Sequence, residues 1–324
     1  MATTSAQSGD ESLPDRVRAA CARVAAAARS VRIEAATIPA YAAALPPPDP
    51  AAADPAFELP GADRETGAAF VLCLDAINFG SGWWPTIRKR PGHSGFFTVA
   101  AGLRDRFRDR GPWDAAALRA LTATDLAAIL GQDPDHPLMA DFAASLREVG
   151  SHLVAEHGGS FAAAVDSAGG SAPDLAALLA GWRAFADTSM YEGSPVPFFK
   201  RAQLAAADLD RVGVASLAGL DRLTAFADNL VPHVLRVDGV LRLDPRLEAK
   251  IDAGELLEHG SAAEVELRAC AVHAVELLAA ARRGGTDLGV PSLAPAEIDA
   301  ALWSRGRAPR YKSRPRPRSR NTAY

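Results

Sequence analysis

Residues 197–233 read PFFKRAQLAAADLDRVGVASLAGLDRLTAFADNLVPH. The stretch puts one cation, Lys200, on an early helical turn and one carboxylate, Asp228, at the end of a later apolar run, with Phe198, Phe199 and Phe226 beside them. In apolar surroundings a charge acts strongly on whatever is bound next to it. Taken alone, the same residues also fit a helix cap and a surface lysine.

Outward from this segment, the 324-residue chain has 48% hydrophobic and 6% aromatic residues, the composition of an ordinary globular protein. Alanine is abundant and β-branched runs are scarce, so helix is the expected state throughout. No apolar run approaches the roughly 20 residues of a membrane span, and MATTSAQSGDESLPD (1–15) lacks the basic-then-apolar order of a secretory signal. A cytoplasmic protein is expected. Cys21, Cys73 and Cys270 each sit in an apolar helical pattern, which fits buried thiols rather than a disulfide framework. The seven histidines show no metal-binding spacing, so no metal is expected.

Net charge is −4 but uneven. Residues 305–320 hold eight Lys/Arg and no acid, leaving 27 basic against 39 acidic residues, or −12, in 1–304. On its own, RYKSRPRPRSR (310–320) reads as a disordered nucleic-acid arm.

In chain order, residues 1–12 are polar and expected to be disordered. Helices are predicted over 14–30, 37–45 and 64–77, with the proline-rich 46–55 as a rigid connector. The third delivers Asp75, Asn78 and Phe79 to a Gly80-Ser81-Gly82 turn followed by Trp83 and Trp84. A helix carrying Val99, Leu103 and Phe107 follows the basic loop 86–95, then helices near 114–121, 124–131, 138–157, 160–167 and 174–185. DTSMYEGSPVP (187–197) reads as a turn-rich loop. Asp238-Gly239 signals a hairpin, but Pro232 and helical surroundings favour a helix over 230–237 with a turn after it. Asp244-Pro245 starts another helix, Ser261 and Glu264 form a capping box for a helix over 262–282, and a last helix spans 295–303. Glu264, Glu266 and Arg268 are expected to ion-pair on an exposed face.

The blocks LDAINF (74–79), FFKRAQLAAADL (198–209), LTAFADNLVP (223–232), EVELRACAVHAVELL (264–278) and RSRNTAY (318–324) resemble, in order, the queuosine salvage protein family, the queuosine 5'-phosphate N-glycosylase/hydrolases. The resemblance runs from about residue 14 to the last residue. It implies an all-α fold, a single helical domain (13–324) similar to the helix-hairpin-helix DNA glycosylases, with room for a small β-hairpin, and segment 217–228 resembles the glycosylase hairpin and its downstream aspartate. It further implies hydrolysis of queuosine 5'-monophosphate to the free base queuine, with no cofactor, no membrane or stable nucleic-acid partner, and a monomeric enzyme.

The resemblance assigns Asp228 and Lys200 to catalysis. Asp75, Asn78, Phe79, Ser94 and Phe199 become substrate contacts, Asn78 pairing with the edge of the base while Phe79 stacks on its face, and loop 86–95 a short strand pair beside the pocket. Asp187 either orients a ribose hydroxyl or caps its loop. The family's R-x-R-x-x-x-Y ending makes Arg318, Arg320 and Tyr324 part of the folded enzyme, close to the nucleotide phosphate. The match departs at Asn229 and Leu230, where relatives carry an aromatic and an arginine, and at the less aromatic chain end; both bear on substrate preference.

Queuine is a 7-deazaguanine, so carbon replaces the ring nitrogen whose protonation eases departure of a purine. Stabilising the cationic sugar is then the main recourse, and an ionised carboxylate under the anomeric carbon does that. Asp228 would either attack to form a sugar ester or steer a water. Lys200 would bind the 5'-phosphate, pair with Asp228, or protonate the leaving base. The competing readings are a DNA base-excision glycosylase, opposed by the −12 body, and a non-enzymatic nucleic-acid binder acting through the arginine tail.

Overall fold

A computed structural model describes residues 11–48, 57–284 and 290–324. The expected disorder of 1–12 falls almost wholly outside these, as does most of the 46–55 connector. The described chain is mostly helical: α1 (Leu13–Ala27), β1 (Val31–Ile33), α2 (Ile38–Ala44), α3 (Arg64–Ala76), α4 (Gly95–Arg110), α5 (Ala115–Ala120), α6 (Ala123–Leu130), α7 (Pro137–Glu156), α8 (Phe161–Asp166), α9 (Ala172–Ala180), β2 (Thr188–Tyr191), β3 (Ser194–Pro197), α10 (Lys200–Arg211), α11 (Leu230–Val237), β4 (Leu241–Leu243), α12 (Pro245–Asp252), α13 (Ala262–Gly284), α14 (Pro295–Arg305) and α15 (Pro309–Lys312). None of the described helices is long and apolar enough to cross a membrane.

Helix boundaries follow the local chemistry. Asp63 caps α3 through the Thr66 amide (2.8 Å), Thr122 and Asp125 form a reciprocal box on α6, and Pro137 opens α7, where a missing N–H costs nothing. The helix expected over 174–185 ends at Ala180; after Gly181 the chain makes only a short 3₁₀ turn at Arg183–Phe185. Segment 187–197, read as a loop, is a hairpin, with Thr188 opposite Pro197 and Tyr191 opposite Ser194. The helix predicted over 230–237 forms, but β4 beyond its turn pairs antiparallel with β1, Val31 facing Leu243. Three-residue strands 200 positions apart leave no local pattern to read. No strand forms in loop 86–95; Ser94 there is exposed and caps α4.

Two helical groups meet. In one, α13 is surrounded by α1, α2, α11, α14 and β1; in the other, α3 packs on α10, α7, α8 and α4. Helix α9, touching α1 and α10, joins them. This arrangement overturns the exposed-face expectation for α13. Glu264, Glu266 and Arg268 are 2%, 1% and 1% exposed, because neighbouring elements and the tail cover this part of α13. Each is satisfied internally: Glu266 accepts from the Arg29 and Ser30 amides and from Tyr191 Oη (2.8 Å). Ser261 caps α13 as expected, but the Glu264 carboxylate turns to the Gly260 amide and Tyr324 Oη rather than closing the box.

The arginine tail is packed on the body. Arg318 forms an isolated parallel bridge with Leu256, and its Nη2 donates to Gly254 O (2.7 Å). The Gly80 amide donates to Tyr324 O, and Gly82 lies against the tail so closely that a Cβ there would come within 2.5 Å of Ser319 O. Backbone cannot retreat as a flexible side-chain tip can. Gly82→Ala is therefore expected to lower unfolding free energy by about 1–3 kcal/mol, measured by urea denaturation; wild-type stability in the variant would remove the tail from the packed core.

Candidate active site

Lys200 opens α10 and is 6% exposed. The residue before it, Phe199, has φ 49°, in the left-handed region that costs a non-glycine residue energy and needs surrounding support. Asp187 supplies the support: its carbonyl accepts the Phe198 and Phe199 amides, and its Oδ2 accepts the Lys200 amide at 3.1 Å. Nζ of Lys200 then reaches Asn78 O (3.0 Å) and Oδ1 (3.2 Å). Asn78 Nδ2 in turn donates to Asp75 Oδ1 at 3.3 Å, while Asp75 Oδ2 is buried with no partner. Burial lowers the Lys200 pKa, opposed by the fields of Asp228 and Asp75; burial raises that of Asp75, with Asp208 adding to it.

Asp228 lies on an irregular segment, 223–229, anchored to the helix of Lys200: Gln203 Oε1 accepts the Thr224 amide at 3.0 Å. Its Oδ1 accepts the amides of Leu230 (2.7 Å) and Val231 (3.0 Å), so the carboxylate caps α11 and meets the positive end of that helix. Segment 217–222 ahead of it is a turn with Gly219 at φ 79° and a 3₁₀ turn at Leu220–Arg222. Asp228 is half-buried and lines a narrow cleft with Asn229, Glu264, Arg268, Arg318 and Tyr324. The cleft has a volume of only about 10 Å³, room for one water.

Behind the cleft stands a buried ion pair. Arg268 grips Asp187 with both Nη atoms (3.0 and 2.7 Å), and its Nε donates to Ala227 O (3.0 Å), the carbonyl just before Asp228. Its guanidinium lies between the rings of Phe198 (3.9 Å) and Tyr324 (4.4 Å). Arg201, fully buried, donates to Ala76 O (2.6 Å), Thr322 O (2.6 Å) and Ala323 O (3.2 Å), joining the end of α3 to the tail. On α14, buried Asp299 accepts the Phe226 amide at 2.9 Å; burial holds its carboxyl well above the usual range, and the Asp228 charge adds to this.

The structure thus gathers Asp75, Asn78, Lys200 and Phe199 on one side and Asp228, Arg318 and Tyr324 on the other, with Asp187 between. Of these, Asp228, Arg318 and Tyr324 line the cleft, whereas Asp75, Asn78, Asp187, Phe199 and Lys200 do not, and neither do the remaining candidates. Phe79 is 1% exposed, its ring against Phe142 (5.0 Å) and under Arg201, so it is a core residue with no free face for a base. Ser94 is taken up in capping α4. Arg320 is exposed, 5.9 Å from the Trp83 ring. Asp187 has both oxygens engaged and acts as the cap of the two readings open to it. A broader open recess of about 350 Å³ is lined by Thr86, Arg88, Gln132, Asp133, Asp135 and His136. Neither Lys200 nor Asp228 lines it, and its Gln132 is already spent on the Arg88 backbone.

Residues 59–324 match the family described as queuosine salvage protein. The chain belongs to that family. A Sphaerobacter thermophilus relative named queuosine 5'-phosphate N-glycosylase/hydrolase is 34% identical over 272 residues, 81% of this chain and 82% of its own. Relatives with the same name from Dictyostelium discoideum and Bos taurus are 31% and 30% identical, covering 80% and 68% of this chain and 79% and 68% of theirs.

Within the family frame, Asp299, Arg201 and the Gln203–Thr224 contact escaped the sequence reading. Asp299 could have been noticed, since it sits between Ile298 and Leu302 on the buried stripe of α14, where an acid is out of place unless it has a partner. Its titration has a definite sign. The folded state holds the Asp299 proton more tightly than the unfolded chain does, so its stabilising effect is full below the unfolded pKa near 3.8 and is lost as pH rises towards the folded value. Asp299→Asn keeps an acceptor for Phe226, and its melting temperature should gain on wild type as pH rises above about 4, levelling off once the folded-state pKa is passed; a pH-independent gap would refute the assignment. Arg268→Met, leaving Asp187 uncompensated, should cost about 3–5 kcal/mol. Adding Asp187→Leu should restore part of that loss in a double-mutant cycle, and strictly additive losses would deny the coupling.

Proposed function

We propose that the chain hydrolyses the N-glycosidic bond of queuosine 5'-phosphate, releasing queuine, with Asp228 as the carboxylate that meets the sugar. The observation that carries the substrate is the shared name of relatives aligned over four-fifths of the chain. The role of Asp228 rests on its place: an acceptor-only group on the cleft wall, backed by two amides and a helix N-terminus. Fixed dipoles behind a carboxylate keep it oriented without reorganisation during reaction. As the C–N bond lengthens, positive charge grows on the ribose, and Asp228 opposes it as nucleophile or as neighbour of an attacking water.

Lys200 takes the other half of the chemistry. Its burial lowers the cost of releasing a proton, and it is held by neutral Asn78 rather than by a carboxylate. It is suited to protonate the departing deazaguanine, which lacks the ring nitrogen available in purines. The cleft as it stands is too narrow for a nucleotide, which needs several hundred Å³. Binding therefore parts its walls, one of which is the tail segment 317–318, attached through Asn229 Nδ2 to Pro317 O and through the Leu257 amide to Arg318 O.

The same proposal includes a likeness to the helix-hairpin-helix DNA glycosylases, a monomeric state, a cytoplasmic location and no nucleic-acid partner. The turn around Gly219, leading to an aspartate just ahead of a helix, supports the first. The last is supported by two of the tail arginines, which are engaged by protein groups: Arg314 meets Glu248 and Asp252, and Arg318 meets Gly254 O. Incubation with queuosine 5'-phosphate should release queuine detectable by mass spectrometry, and Asp228→Asn should slow release by about a thousandfold or more while keeping the wild-type melting profile. No base from wild type would defeat the substrate assignment; equal release by both would defeat the role of Asp228.

A further inference from the structure

The cations near Asp228 differ in how fully their donors are used. Arg268 is engaged by Asp187, Ala227 O and two rings and Arg201 by three carbonyls, while Lys200 gives two of its three N–H donors to Asn78. Arg318 is tied to Gly254 O and Arg320 is out on the surface. Arg316 stands apart. It is half-buried, its one hydrogen bond goes to Gly306 O (3.2 Å), and no carboxylate among the described residues forms an ion pair with it.

The backbone fixes where Arg316 points. Pro315 O accepts from Arg236 Nη2 (3.1 Å) and Pro317 O from Asn229 Nδ2 (2.9 Å), so residues 315–317 run along α11 towards its N-terminal end, where Asp228 caps it. Between those two anchors Arg316 reaches across to Gly306, which is pressed against Leu230 and Val234 of α11. Its guanidinium is therefore held over the helix that Asp228 caps, next to the Pro317 wall of the cleft. Desolvation lowers its pKa, and Asp228 is the charge that counters this.

We infer that Arg316 is the residue that selects the nucleotide over the nucleoside, its free guanidinium edge receiving the 5'-phosphate of a substrate whose anomeric carbon lies at Asp228. A partly desolvated cation with unused N–H donors loses little by taking up a dianion and gains charge-assisted, bidentate hydrogen bonds. In Arg316, rather than Arg318 or Arg320, the tail supplies the phosphate contact, and occupying it anchors the cleft wall over the substrate. The same division leaves Lys200 free to act on the base. The inference rests on the hydrolase reading for its substrate, but the anion site can be tested without turnover.

Two measurements separate the claims. First, kcat/KM is compared for queuosine 5'-phosphate and queuosine in wild type, Arg316→Ala, Arg316→Lys and Arg320→Ala. The nucleotide-to-nucleoside ratio should fall by about tenfold or more in Arg316→Ala, chiefly through KM, with partial recovery in Arg316→Lys. An unchanged ratio, or a fall in Arg320→Ala instead, overturns the assignment; equal losses on both substrates would reduce Arg316 to a structural role and overturn it as well. Second, inorganic phosphate should raise the melting temperature of wild type and not of Arg316→Ala. If wild type cleaves neither substrate, the hydrolase reading fails, and phosphate protection dependent on Arg316 still decides the anion site; no protection of wild type overturns it.

Discussion

The buried pair of Arg268 and Asp187 is the constraint on which the site depends. Asp187 belongs to the loop that turns into the β2–β3 hairpin, and it receives the amide of Lys200; Arg268 belongs to the central helix and holds the carbonyl before Asp228. One charge-assisted bond set thus fixes the two ends of the segment that carries both candidate catalytic groups. Such pairs add little net stability compared with an apolar replacement, but they fix geometry, because neither partner can move without stranding the other. That is a reasonable use of ions in a core rich in alanine and leucine.

Around that pair the fold gives its buried carboxyls different settings. Asp228 is half-open and backed by amides; Asp299 and Asp75 are enclosed, and burial raises both. Asymmetry of this kind divides roles between acid and base on a single scaffold. The helical groups are arranged accordingly: α3 and α10 present Asn78 and Lys200, α11, α13 and α14 frame Asp228, and the tail lies across both through the Arg201 carbonyl contacts.

The helical character and most helix limits were legible in the sequence, because each is written in local spacing: capping residues, prolines at first turns, apolar stripes. The family resemblance was legible for the same reason. What escaped was non-local. The β1–β4 pair joins residues 31–33 to 241–243 with no intervening signal, and the exposure of α13 was misjudged because Glu264, Glu266 and Arg268 look like a solvent face unless one knows that neighbouring elements and the tail cover them. Phe79 looked like a stacking ring at a glycine turn; the structure spends it on Phe142 and Arg201. Glycine at 80 and 82 does admit a close approach, but of the chain's own tail.

That tail also imposes an order on assembly of the fold. Residues 315–324 close contacts with α10, α11 and α13, elements far from them in sequence. A chain in which 315–324 has not yet docked carries both candidate catalytic groups, yet lacks one wall of the cleft, the Tyr324 ring and two of the carbonyls that hold Arg201. Docking of this segment is therefore the step that completes the cleft around Asp228.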